Sequence, residues 1–174
     1  MKKNNIIKKF RLILLGCVLL LTFVACSPSE SSNGDTGKDT TANENPLAAE
    51  SLSSILDKLY VEAGIETAKL GQTEITTENL EYFLGTKDIE FTEAMASEPL
   101  MTSSAHSIVL LRVKEGSDIE KIKEDIKTNV DPRKWICVGV EPENVIVDNV
   151  GNMVILIMDE NSTEFHKAFL ELVK

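Results

Sequence analysis

Few side chains in this sequence have the type and spacing to do chemistry. There are two histidines, His106 and His166, and three cysteines, Cys17, Cys26 and Cys137. A zinc site would want a second His four residues on, or paired Cys, and neither His has such a neighbour. No metal is therefore expected. His106 stands among the hydroxyls of Ser103, Ser104 and Ser107. Nearness in sequence is not a triad, and no acid beside His106 is placed to orient its ring. A solvated or capped imidazole is the expectation for both histidines. Cys137 follows Trp135 and Ile136 and precedes Val138. That apolar setting predicts a buried, inert thiol, since a nucleophilic thiolate wants a cation or His beside it.

Other signatures of chemistry are missing. No nucleophile elbow, phosphate loop or dinucleotide fingerprint occurs, so no cofactor is expected. Asp148-Asn149-Val150-Gly151-Asn152 lacks the alternating ligands and terminal Glu of a calcium loop. Trp135, the only Trp, follows Arg133 and Lys134. An aromatic flanked by cations can be a recognition spot, or a core plug beside two solvated charges. The core reading is favoured, and exposure of Trp135 decides between them. Trp135, Arg133 and His106 are the candidate binding residues.

One cysteine does have a chemical reading. The first eleven residues carry Lys2, Lys3, Lys8, Lys9 and Arg11 and no acid. Residues 12–24 are uncharged and largely Leu, Ile and Val. A basic segment followed by an apolar run of this length is the build of a secretory signal, too short to span a bilayer. The run ends at Phe23-Val24-Ala25-Cys26, and Ser27-Pro28 follows. That junction resembles a bacterial lipoprotein signal. The resemblance implies that the thiol of Cys26 takes a diacylglycerol as a thioether. Cleavage before Cys26 would follow, and acylation of the new amine by a chain such as palmitate. Two or more acyl chains anchor stably where one does not. The expected location is the extracytoplasmic face of the cell membrane.

Charge narrows the partners. The 174 residues hold 18 Lys and Arg against 28 Asp and Glu, a net of −10. Removing 1–25 takes five basic residues and no acid, and leaves 13 against 28, a net of −15. Nucleic acid is not the expected partner, because a phosphate binder needs a basic face. An anionic membrane surface would repel such a body. The length also excludes a (β/α)₈ barrel, which needs about 200 residues or more.

Residues 27–45 contain one apolar residue, Ala42, so 26–46 is expected to be a disordered tether. Its span would be about 20–25 Å. Residues 47–174 then form one domain. Leu52, Ile55, Leu56, Leu59, Tyr60 and Ala63 recur at helical spacing and Gly64 stops them. A short helix is expected over 77–84, and an edge strand over 88–96. Ser107–Val113 reads as a strand buried on both faces. Ser117 with Glu120 resembles a capping box opening the helix marked by Ile119, Ile122, Ile126 and Val130. A further helical turn is expected from Pro132 through Trp135. Val145–Val150 and Met153–Met158 flank Gly151-Asn152 and read as a hairpin. A last helix follows Asn161 or Ser162, with Phe165, Ala168 and Phe169 inward. Placing Met153–Met158 between its two neighbours gives a four-stranded, mainly antiparallel sheet in an α+β domain, with helices on both faces.

From residue 89 onward the chain resembles a family of Gram-positive surface lipoproteins known as domain of unknown function 4358. The resemblance lies in His106 to Leu111, the helix after it, Arg133, Glu141-Pro142-Glu143, Val145 to Val147 and Gly151 to Val154. It implies an anchored extracytoplasmic module with no catalytic residues to carry over. The expected function is non-catalytic binding or scaffolding at the cell envelope, with an envelope protein as candidate partner. The alternative is a small envelope hydrolase with a site near His106 or Cys137.

Overall fold

The structure is a computed structural model that describes residues 47–174. The expected signal 1–25, the expected lipidation residue Cys26 and the expected tether 26–46 lie outside the described residues. The elements run in the order α1 (Leu52–Ala63), β1 (Leu70–Glu74), α2 (Leu80–Leu84), β2 (Phe91–Pro99), β3 (Ser107–Val113), α3 (Ile119–Asn129), β4 (Val145–Val150), β5 (Met153–Met158) and α4 (Ser162–Leu172). A 3₁₀ turn, Pro142–Asn144, precedes β4. Among the described residues no helix is long and apolar enough to cross a membrane.

The fold is α+β around an open antiparallel sheet of five strands, in the order β1-β2-β3-β5-β4. The hairpin strand β5 pairs with β4 on one side and β3 on the other. Every residue of β5 is buried. Its turn is Gly151-Asn152, between the paired Val150 and Met153. Gly151 has φ 57, the positive value a primed hairpin turn demands at its first central position.

The expected count of four strands is corrected to five. Leu70–Glu74 reads LGQTE and leaves most of its side chains in solvent, so no apolar alternation marks it. It is held as a strand by pairing with β2, from Leu70 opposite Pro99 to Glu74 opposite Met95. β2 is therefore interior, not an edge, and begins at Phe91 rather than residue 88.

The two sheet faces carry separate cores. Ile108, Leu110, Met153, Ile155 and Ile157 pack with Leu52, Ile55, Leu56 and Leu59 of α1 and with Phe165 and Phe169 of α4. The opposite faces of the same strands, Val109, Leu111, Val113, Val154, Leu156 and Met158, pack with α2, with Ile122 and Ile126 of α3, and with Trp135. Alternation along two strands thus sends apolar side chains both ways.

Helix ends differ in detail from the sequence reading. α3 is capped by Asp118, whose carboxylate accepts from the Lys121 amide at 3.1 Å, so the cap is one residue later than the Ser117 box. α2 starts at Leu80, and 77–79 form a turn whose Thr76 amide donates to Asn79. Asn161 stands at the N-cap of α4 without a side-chain capping bond. Residues 132–135 form no helix; the Val140 amide instead donates to the Pro132 carbonyl at 2.8 Å and closes 132–140 into a loop. At the start of the domain, the Arg112 guanidinium donates to the carbonyls of Leu47 and Glu50 at 3.0 and 2.8 Å. It also pairs with Glu93, and so fastens the first described turn to β3.

Candidate functional site

His106 is the residue just before β3, and Asp159 is the residue just after β5. Ser107 pairs with Met158, so one further step along the ladder sets His106 opposite Asp159 on the face of α1 and α4. His106 Nδ1 lies 2.7 Å from Asp159 Oδ2. On the other side of the ring, His106 Nε2 lies 2.8 Å from the Tyr60 hydroxyl of α1. Tyr60 Oη and Ser97 Oγ of β2 share a bond of 2.9 Å. Phe165 of α4 packs edge-on to both rings, with centroids 5.5 Å from His106 and 5.7 Å from Tyr60.

The sequence expectation is corrected here. His106 is buried, not solvated, and an acid does orient it. Because a carboxylate only accepts, Nδ1 carries the proton in its bond to Asp159, and in the neutral ring Nε2 accepts from Tyr60. Burial pushes the Asp159 carboxyl up. The hydrogen bonds from His106 and from the Asn161 amide outweigh this and hold it below its ordinary value. Asp159 Oδ1 accepts from the Asn161 amide at 2.7 Å, so both carboxylate oxygens are engaged. Burial drives the Tyr60 phenol well above its ordinary value, so it stays protonated.

His106 and Asp159 form the floor of a cleft of about 520 Å³. Ser103, Ser104 and Ala105 lead into it from the β2–β3 loop, and Glu160 and Asn161 from the turn before α4. Residues 65–68, between α1 and β1, form a second side, and Val138, Gly139, Val140 and Glu141 a third. The lining mixes carboxylates, hydroxyls and amides with aliphatic groups, and it includes no Lys or Arg.

A second polar cluster sits across the sheet. Ser107 and Glu98 follow His106 and Ser97 in sequence, and alternation turns them to the other face. Ser107 Oγ donates to Glu98 Oε1 at 2.7 Å, and Lys134 Nζ lies 2.5 Å from the same oxygen. The Lys134 side chain is only 4% exposed. Its ammonium stands 4.7, 5.1 and 5.4 Å from the ring centres of Tyr82, Phe83 and Trp135. Burial lowers the Lys134 pKa, and the charge of Glu98 works against that shift.

The candidate binding residues are thereby separated. Trp135 is buried in the α2/α3 core, the core-plug reading. Only one of the two flanking charges is solvated: Arg133 is exposed and reaches Glu141 at 3.4 Å on the rim of the cleft, while the Lys134 side chain is buried against the Trp135 ring. Cys137 is corrected outright: it is exposed and takes a left-handed backbone, φ 63. Closure of the loop at Pro132 and Val140 sends Trp135 and Val140 inward and leaves Ile136 and Cys137 at the outer turn. His166 is capped by Asp148 of β4, Nε2 to Oδ2 at 2.7 Å, and shares no bond with His106 or Asp159. Among the described residues no three His, Cys, Asp or Glu side chains are grouped to hold a metal ion.

Ser97, Asp159 and Glu98 are absent from the sequence reading, which has Tyr60 only on a helix face and Lys134 only as a charge beside Trp135. For Asp159 a signal existed: it ends the apolar run expected to lie beside the strand that His106 opens. The chain matches no protein-family model, no curated protein and no solved structure.

Proposed function

We propose that this protein is a membrane-anchored extracytoplasmic lipoprotein, lipidated at Cys26, whose folded domain binds a partner at the cell envelope without catalysis. The cleft over His106 and Asp159 is its binding site. One observation carries the reading: both ring nitrogens of His106 are already bonded, one to Asp159 and one to Tyr60. A general base must hold its ring nitrogen on a nucleophile or water that faces the substrate, and the Tyr60 hydroxyl does not line the cleft. Here that nitrogen is taken by a phenol that burial keeps protonated. The same bonds lock the cleft floor, as suits a largely pre-formed binding site. The exposed Cys137 has a positive φ at a loop turn and lies outside the cleft lining, which argues against the hydrolase alternative there.

The test is proximity labelling in intact cells with a labelling enzyme fused after Lys174. Wild type is compared with Ser104→Trp, which fills the cleft from the β2–β3 loop. The expected result is at least one envelope protein labelled by wild type and lost in the variant. Identical labelled sets would remove the cleft from the function.

A further inference from the structure

The third side of the cleft is the loop 132–140 with Glu141 beyond it. It has no helix or strand of its own, and one backbone bond, Val140 amide to Pro132 carbonyl at 2.8 Å, closes it. Side chains fasten it from within, with Val138 partly buried against the same core as Trp135. Trp135 and Val140 enter the α2/α3 core, and Lys134 enters the cluster of Glu98 and Ser107. Lys134 is the fastening that reaches the strands at the cleft end of the sheet. Glu98 is in β2 next to Ser97, and Ser107 is in β3 next to His106.

A buried ammonium is a costly fastening. Desolvation opposes it, and a buried ion pair is often matched or bettered in stability by apolar groups of similar volume. The aromatic neighbours here would accept a methionine readily. What the ammonium supplies instead is direction. Its bond to Glu98 and its seat against three rings fix where the loop lies, and an apolar plug would not.

We propose that Lys134 is a positioning residue for the cleft wall: its ammonium, seated between Glu98 and the rings of Tyr82, Phe83 and Trp135, holds the loop 132–140 in the shape that completes the binding site. This rests on the cleft reading above.

Amide hydrogen exchange on the mature protein tests it without any ligand. Lys134→Met keeps the volume and removes the charge. The Val140 amide should exchange at least tenfold faster in this variant, while those of Leu110 and Ile155 keep wild-type protection. Lys134→Ala should loosen the same amide. Propylammonium, which restores the deleted stem from Cγ to Nζ, should slow it again, and sodium chloride at equal ionic strength should not. Wild-type exchange at Val140 in Lys134→Met would overturn the proposal. So would equal acceleration at Leu110 and Ile155, which would mark a general loss of stability. Should Lys134→Ala fail to fold, Lys134→Met carries the test alone. A loosened wall in a protein whose partner ignores Ser104→Trp would leave the positioning role standing and remove the binding reading.

Discussion

His106 and Asp159 face each other one residue beyond the paired ends of β3 and β5, with Nδ1 2.7 Å from Oδ2. The two central strands thus end in a charge-assisted bond at the cleft floor. Asp159 is held below its ordinary value in the folded state, so its stabilising share is present above the unfolded value of about 3.9 and is lost as pH falls through the folded one. Asp159→Asn should cost about 1.5–3 kcal/mol at pH 7. Chemical denaturation from pH 7 down to 3 should show the gap between variant and wild type narrowing below about pH 4. Parallel curves would contradict the assignment.

Tyr60 links α1 to both β2 and the cleft floor through its hydroxyl. Tyr60→Phe leaves Nε2 of His106 and the Ser97 hydroxyl each short of a partner in a buried place. The expected loss is about 1–3 kcal/mol. Val61→Ala, on the exposed side of the same helix, should change stability by less than about 0.5 kcal/mol. Thermal melts of the two variants check the contrast.

Gly85 ends α2 at φ 73, and a Cβ there would stand 2.2 Å from the Asn129 carbonyl at the end of α3. Backbone cannot swing aside as a side chain can. Gly85→Ala should therefore combine the left-handed penalty of about 1–2 kcal/mol with overpacking of about 1–3 kcal/mol. A melting point within a degree of wild type would show that the α2–α3 approach is looser than described.

Cys26→Ala tests the anchor. Cells fed labelled palmitate should label the wild-type protein and not the variant, which should accumulate as a larger precursor. Equal labelling of both would end the lipoprotein proposal.

Much of the fold was legible because apolar residues repeat at helical or strand spacing. The run Met153–Met158 is apolar on both faces, and only an interior strand buries both. Gly151-Asn152 fixed its partner and direction. β1 was not legible, since LGQTE contributes backbone bonds and little apolar surface. The site was harder. Tyr60 and His106 are joined by folding across 46 residues, and no local pattern records such a contact. Cys137 was misread for a related reason. Its neighbours are apolar, but loop closure at Pro132 and Val140 decides which of them turns inward.

The strand β5, interior between β3 and β4, is also the last strand in the chain. Until Met153–Met158 arrives, β3 and β4 have no common neighbour, and both cores lack a wall. A chain emerging from a narrow channel N-terminus first therefore cannot finish folding until nearly all of it is through. Under the proposed export, this delay would keep the thread loose during passage and set folding at release, with the late, non-local pairing as the slow step. A chain stopped before Met153 should show no cooperative melt, and a sharp transition in that fragment would refute the order.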